Sequence, residues 1–429
     1  MLLLGAALVS HQLGHGHVCL DLQAALAEPD FTLSLPPEGD ASGPSIVSPA
    51  QALEGVTLQA WRDACRGSAL SADGQGGSTP LVLDGGFLYL RRYWDYERQA
   101  ASHIAERLRS AQDVPADLAE RLARLFPEPL VLEGRRRTDW QKLACAMAAR
   151  GRFTIVTGGP GTGKTTTVVR LLALLQEAAL DAGRPLRLSM AAPTGKAAAR
   201  LTESIRAQIA ALAVDEAVRA RIPSDVSTVH RLLGSRPDTR TFRHHAGNPL
   251  PLDVLVVDEA SMIDLEMMAR LLDALPPHAR LVLLGDKDQL ASVEAGSVLG
   301  DLCRGAEEGG YSPATRAWLE AQTGETLDDP ALRAADRALA QHIVMLRHSR
   351  RFEGGSGISR LAQAVNAGRA DEARMILAED RADLHGVQVR GAQDPALDNL
   401  LLEGLPGDDD APVGYARYLR WMRDHRPAP

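Results

Sequence analysis

The spacing of apolar and polar positions divides the chain into two styles. Over residues 1–127, apolar runs are interrupted by a Pro/Ser/Gly-rich stretch at 36–49 and a Gly-rich turn at 74–78. Toward the end of that region Ile104, Leu108, Leu118, Leu122 and Leu125 recur at spacings of three, four and their sums, the stripe of an amphipathic helical segment over Ala101–Phe126. This predicts a small, mainly helical domain with irregular connections. From about Arg135 the pattern changes. Four short apolar runs, Phe153–Thr157, Leu186–Ala192, Val254–Val257 and Leu281–Leu284, each end in a Gly or Asp turn, and most lead into a helical pattern. Strands alternating with helices predict an α/β domain whose parallel sheet is covered on both faces. Residues 305–340 read as a polar, Ala-rich helical connector, and a further unit begins near His342. The expected organisation is therefore three parts, 1–127, 128–340 and 341–429.

Composition narrows this only a little. With 45% hydrophobic and 24% charged residues among 429, the chain is neither disordered nor fibrous. Its longest apolar runs, such as Leu171–Leu175, fall far short of the roughly 20 residues that span a bilayer. The apolar start, Met1–Ser10, lacks the basic region of a signal peptide. Cys19, Cys65, Cys145 and Cys303 lie far apart with no C-x-x-C pair, which fits a reducing compartment. The expectation is a cytoplasmic protein without a membrane. A formal charge of −8 excludes a uniformly basic coat but leaves room for a local basic groove. There are four lysines (Lys142, Lys164, Lys196, Lys287), and the other 43 basic residues are arginine. A position that keeps lysine against that background suits a compact ammonium rather than a planar fork.

Three of the four lysines sit directly in strand-end loops. Gly158-Gly159-Pro160-Gly161-Thr162-Gly163-Lys164-Thr165 follows a predicted strand and precedes a predicted helix, Thr166–Ala178. It satisfies G-x-x-x-x-G-K-[ST] in the context that gives the pattern meaning. Glycines let successive N–H groups turn inward onto phosphate oxygens, and the positive end of the next helix adds to that field. Lys164 is expected on the β- and γ-phosphates of ATP and the Thr165 hydroxyl on Mg²⁺, with Thr166 completing the cradle. Asp258-Glu259, at the end of the run Leu255–Val257, supplies the carboxylates such a site needs. Asp258 is expected to hold the Mg²⁺ hydration shell, and Glu259 to orient the attacking water. That pairing favours hydrolysis over transfer to a small acceptor. The string Gly285-Asp286-Lys287-Asp288-Gln289-Leu290 follows the fourth run, and a glutamine there can touch a γ-phosphate.

The last string also carries a resemblance. GDxxQL looks like motif III of superfamily 1 helicases, and Asp258-Glu259-Ala260-Ser261 resembles their motif II. Asp139-Trp140-Gln141-Lys142 is similar to the family's Q motif, which implies that Gln141 reads adenine. Pro193-Thr194-Gly195-Lys196-Ala197-Ala198-Ala199-Arg200 resembles motif Ia, and Thr228-Val229-His230-Arg231 the next strand-contacting motif. The resemblance implies that Thr194, Lys196, Arg200, Thr228 and His230 contact a DNA backbone, a mode without sequence preference and sensitive to salt. Leu346-Arg347-His348-Ser349-Arg350-Arg351-Phe352 resembles motif IV and implies Arg351 as a γ-phosphate arginine.

Gly14-His15-Gly16-His17-Val18-Cys19-Leu20 and Leu88-Tyr89-Leu90-Arg91-Arg92-Tyr93-Trp94-Asp95-Tyr96-Glu97 look like the N-terminal domain of the RecD family, the alpha subunits of exodeoxyribonuclease V (RecBCD). The resemblance runs from about Leu4 to Gly368. It implies a RecA-like motor domain behind a helical partner-contacting domain, then the start of a second motor domain. It further implies ATP-driven 5′→3′ DNA helicase activity on single- and double-stranded DNA ends, with RecB and RecC as partners. Alternatives within it are a standalone RecD-like helicase and an impaired fragment that only binds nucleotide and DNA. Family members usually extend further at both ends, which gives the expectation of a chain truncated mainly at its C-terminus, without motifs V and VI. Two local readings stay beside this one. His11, His15, His17 and Cys19 have the density of a zinc cluster, against a packing role. The aromatics of Tyr89–Tyr96 suit either base stacking or core.

Overall fold

A computed structural model of the chain describes residues 1–35, 47–74, 77–110, 114–132, 134–236, 239, 241–289, 294–349, 356–379, 381, 383–384, 386–387, 389–391, 394–396, 419 and 422–423. It forms two units, Met1–Arg351 and Phe352–Pro429.

The first unit is built on a six-stranded sheet: β1 (Phe153–Thr157), β2 (Leu188–Ala192), β3 (Ser227–Thr228), β4 (Val254–Val257), β5 (Arg280–Gly285) and β6 (Ile343–Met345). The spatial order is β6-β1-β5-β4-β2-β3, and every pair is parallel. All four predicted runs are strands. The two that periodicity did not single out, β3 and β6, are short edge strands, too brief for a pattern. Burial on both faces explains the unbroken apolar runs: all residues of β1 and β4 are buried. Val156, Val256, Val282 and Val344 point to one core, Ile155, Leu255, Leu281 and Ile343 to the other.

Described residues between Val9 and Leu88 form a separate small core around Trp61, Leu20, Leu83 and Leu88. Helices dominate there, as expected, but they enclose a four-stranded sheet in the order Cys19–Asp21, Phe87–Leu90, Leu81–Asp84, Ser71–Asp73. The predicted segment over 101–126 is two helices, Arg91–Arg109 and Leu118–Leu125. By packing, both belong to the motor sheet rather than to the N-terminal core: Tyr93, Ala100 and Ile104 join one face, and Leu118, Leu122 and Leu125 the other. Sequence grouped them with residues 1–127 because an amphipathic stripe does not say which core it faces. Likewise the sheet runs past residue 340, since β6 pairs with β1 through Ile343↔Ile155, Val344↔Val156 and Met345↔Thr157.

Two arginines, Arg121 buried and Arg280 half-buried, fix helices near the site. Arg121 pairs with Asp117 (2.7 Å), Glu177 (3.1 Å) and Asp181 (2.6 Å), tying Leu118–Leu125 to the helix after β1. Arg280 donates to the carbonyls of Ala148, Ala149 and Gly151 (2.9, 2.6 and 3.1 Å), closing the end of the helix Trp140–Arg150.

The second unit contributes the helices Gly357–Asn366 and Ala370–Ala378. Ser356 caps the first, and Arg360 grips Glu379 with two hydrogen bonds of 2.6 and 2.9 Å.

Candidate active site

Parallel strands leave their ligand-binding loops at the carboxyl edge. There β1 ends at Thr157 and the chain curls into the Gly-rich turn. Gly161 and Gly163 take φ of +75° and +86°, backbone that side-chain-bearing residues adopt only at a cost. The helix Lys164–Asp181 begins at once, so its unpaired N–H groups border the turn. Lys164 Nζ donates to the carbonyls of Gly158 (2.5 Å) and Gly159 (3.2 Å), and Thr162 Oγ1 to that of Gly159 (2.8 Å). These acceptors are neutral, so phosphate oxygens, which form stronger charge-assisted bonds, can displace them from the ammonium. Thr165 and Thr166 lie half-buried in the first turn of that helix.

Asp258 follows β4, two strands away across β5. Its N–H donates to Ala191 O (2.9 Å), and its Oδ1 accepts from the Glu259 N–H (2.9 Å). Burial pushes the Asp258 carboxyl up to about 6, opposed by that N–H; the Glu259 charge adds to the rise and Lys164 pulls the other way. Lys164 and Asp258 therefore share one electrostatic environment. A partly buried carboxylate that is short of positive charge suits an oxygen-seeking divalent cation such as Mg²⁺, and Thr165, in the first turn of the helix after the Gly-rich turn, carries a further oxygen of the kind such a cation takes. Glu259 adopts φ +52°, ψ +38°, left-handed backbone that is uncommon for a non-glycine residue and that concentrates at functional sites. A short 3₁₀ turn, Ala260–Met262, follows, and the helix proper begins at Leu265 under an Asp264 cap. Gln289 reaches back to this turn, where its Oε1 accepts from Ser261 Oγ (3.3 Å). Lys287 N–H donates to Thr157 Oγ1 (3.1 Å), so the GDxxQ loop is fastened to the strand that launches the Gly-rich turn.

Gln141 enters from the helix Trp140–Arg150, which Asp139 caps at the N–H groups of Gln141 and Lys142 (2.9 and 3.1 Å). Its Nε2 donates to Thr162 O (3.1 Å), and it lines a recess together with Leu130, Trp140, Leu346, Arg347 and His348. Its amide thus serves the turn and the recess together. Ser349 Oγ donates to Pro160 O (2.8 Å) on the other side of the turn.

The proposed DNA-contacting residues gather along β2 and β3. Register sets Ala192 beside Thr228. Thr194 caps the helix Gly195–Ala210 and Thr228 the helix Val229–Leu233, each through its hydroxyl at 3.2 Å. Lys196, Arg200 and His230 are exposed, with the His230 ring packed edge-on to Phe242 at 6.0 Å. Arg350 and Arg351 lie outside the described residues.

The N-terminal histidines and aromatics have local partners. His11 Nε2 is hydrogen-bonded to Leu33 O (2.8 Å) and His15 Nδ1 to His11 O (3.1 Å), and among the described residues no three His, Cys, Asp or Glu side chains gather as a metal site. Tyr89 and Tyr93 are buried, and Tyr96 Oη donates to Glu266 (2.8 Å). Sequence reasoning missed Thr157, Ser261, Ser349 and Arg347. Each is a single polar residue whose partner is distant in sequence, so only proximity in space reveals it.

A P-loop, a strand-end acidic pair and a glutamine sensor on one edge of a parallel sheet define a RecA-like P-loop nucleotide-binding protein. Family models agree and go further: residues 141–295 match the family described as AAA domain, and residues 1–89 match "RecBCD enzyme subunit RecD, N-terminal domain". The RecBCD enzyme subunit RecD of Haemophilus influenzae is 40% identical over 77% of this chain and 51% of its own length. That of Mycolicibacterium smegmatis is 38% identical over 99% of this chain and 66% of its own length. The ATP-dependent RecD2 DNA helicase of Deinococcus radiodurans is 43% identical, but over only 36% of this chain and 18% of its own length. The chain belongs to the RecD family, and it spans about half to two-thirds of the length of the RecD subunits it matches.

Proposed function

We propose that this chain is the nucleotide-driven motor portion of a RecD-type 5′→3′ DNA helicase subunit, acting with RecB and RecC on single- and double-stranded DNA ends in break repair and recombination. The observation that carries the reading is the convergence of Lys164, Asp258 and Gln289 on one sheet edge, with the Thr194 and Thr228 loops continuing along it. The match of residues 1–89 to the RecD N-terminal domain supports the heterotrimer subunit over a standalone helicase, whose similarity extends over only 36% of this chain.

In this reading the Gly158–Gly163 backbone and Lys164 bind the triphosphate of ATP, with Thr165 and Asp258 holding Mg²⁺, which neutralises phosphate charge when bound. Glu259 orients and deprotonates the attacking water, and Gln289 contacts the γ-phosphate from a loop tied to both Thr157 and Ser261. Movement of that loop is transmitted through Ser261 to the acidic pair. The strand-end helices that begin at Thr194 and Thr228 grip the DNA backbone, with Lys196 and Arg200 adding charge. Arg351 is assigned the γ-phosphate arginine by resemblance. No described helix is long and apolar enough to cross a membrane, which is compatible with a cytoplasmic location.

ATP turnover by the chain, with and without single-stranded DNA, tests the reading. Lys164→Ala is expected to abolish hydrolysis, leaving single-strand binding within about threefold of wild type, because phosphate and DNA contacts lie on different loops. A Lys164→Ala chain that hydrolyses ATP like wild type ends the assignment.

A further inference from the structure

Arg347 stands where three parts of the first unit meet, and none of the motif assignments uses it. Its guanidinium lies over the Trp140 ring at 4.7 Å from the centroid, beside Gln141 in the recess. It pairs with Asp329 (3.4 Å), and Nη2 donates to the Glu307 carbonyl. Its side chain is 13% exposed, and its Nε has no acceptor among the described residues. An arginine so enclosed is costly to place unless its geometry matters. The Glu307 carboxylate meets Lys287 Nζ at 2.6 Å, and Lys287, 12% exposed, is also paired with Asp288 at 2.6 Å. Lys287 belongs to the loop that carries Gln289. A continuous polar path thus runs from the Gln141 recess through Arg347 and Glu307 to the γ-phosphate loop.

We propose that Arg347 is a positioning residue that orders the base-binding recess and, through Glu307 and Lys287, makes it one mechanical unit with the Gln289 loop. Arg347 orders the recess by holding Trp140 flat beneath its planar fork, a role for which lysine has no equivalent. Glu307 contributes separately: its backbone serves Arg347 and its carboxylate serves Lys287. Base occupancy and γ-phosphate occupancy are therefore coupled, each raising affinity for the other. The inference deepens the nucleotide-binding reading above and rests on it.

The two contributions separate in a binding experiment on the full 429-residue chain, using ADP, ATPγS and inorganic triphosphate as probes. Arg347→Gln and Arg347→Lys are both expected to weaken ADP binding about tenfold while triphosphate binding changes less than about twofold. A defect confined to folding would weaken all three probes alike. Glu307→Gln is expected to leave ADP affinity within about twofold but to reduce the ATPγS-to-ADP preference several-fold, since it cuts only the Lys287 link. Arg347 variants that bind ADP like wild type, or lose triphosphate in parallel, overturn the role of Arg347. An unchanged ATPγS-to-ADP preference in Glu307→Gln overturns the coupling. Either result leaves the nucleotide site standing if wild type binds all three probes and Lys164→Ala does not. A wild-type chain that binds none of them removes the site and this inference together.

Discussion

Gln141 Nε2 hydrogen-bonds Thr162 O at 3.1 Å, and the same amide nitrogen lies 2.2 Å from where a Cβ on Gly163 would stand. The Q-motif side chain and the last glycine of the P-loop thus lie against each other: the glycine is required for its φ of +86°, and a Cβ there would also push the Gln141 amide off Thr162. Gly163→Ala should lower stability by about 2 kcal/mol or more, from left-handed strain plus the clash, and weaken nucleotide binding. In a Gln141→Ala background the clash is gone and only the backbone cost remains, so the penalty should shrink. Urea unfolding of the four chains measures this directly, and equal penalties in both backgrounds would contradict the contact.

Asp258 gives a pH dependence whose sign is set by burial. Its carboxyl keeps its proton up to about pH 6 when folded, against 3.8 ordinarily. The folded state therefore gains from this group below about pH 4 and loses that gain as pH rises through 6, at most about 3 kcal/mol. Without metal, thermal stability should fall across this window, and Asp258→Asn should flatten the fall. Added Mg²⁺ should stabilise the wild type more at pH 7 than at pH 5, where the carboxyl is mostly protonated. Calorimetric melting at both pH values, with Mg²⁺ or a chelator, reads the difference.

Arg280 serves the site from beneath. Removing its guanidinium leaves the carbonyls of Ala148, Ala149 and Gly151 without their donor at the end of the helix that carries Gln141. Arg280→Met should cost about 2–4 kcal/mol in urea unfolding. Arg280→Lys should recover part of that, because all three bonds come from Nη1 alone and an ammonium can supply donors at one point, although the lysine stem is shorter.

On the DNA side, Lys196→Ala and Arg200→Ala should each reduce the salt dependence of single-strand binding by about one phosphate contact, across all sequences alike. Nucleotide affinity should stay unchanged, since both side chains are exposed on the helix Gly195–Ala210, which follows a different strand from the P-loop. Fluorescence anisotropy over a salt series distinguishes this from a specific contact, which would leave the slope intact.

Much of this protein is written locally. A run such as Val254–Val257 announces a strand buried on both faces because no residue in it tolerates water. The Gly158–Lys164 pattern announces its turn because few sequences satisfy that backbone. Asp258 and Glu259 follow from their place at the end of such a strand. Tertiary structure alone decided what these pieces meet. Whether the stripe of Arg91–Arg109 covers the N-terminal core or the motor sheet depends on which apolar face lies opposite, and an amphipathic pattern carries no address. The strand Ile343–Met345 is too short to declare itself and exists because β1 offers it an open edge. Ser261 beside Gln289, and Arg347 between Trp140 and Glu307, join residues far apart in sequence through single hydrogen bonds or a stacked ring. Such pairings leave no periodic trace, because their energy lies in the closeness of two chain segments and not in either segment alone.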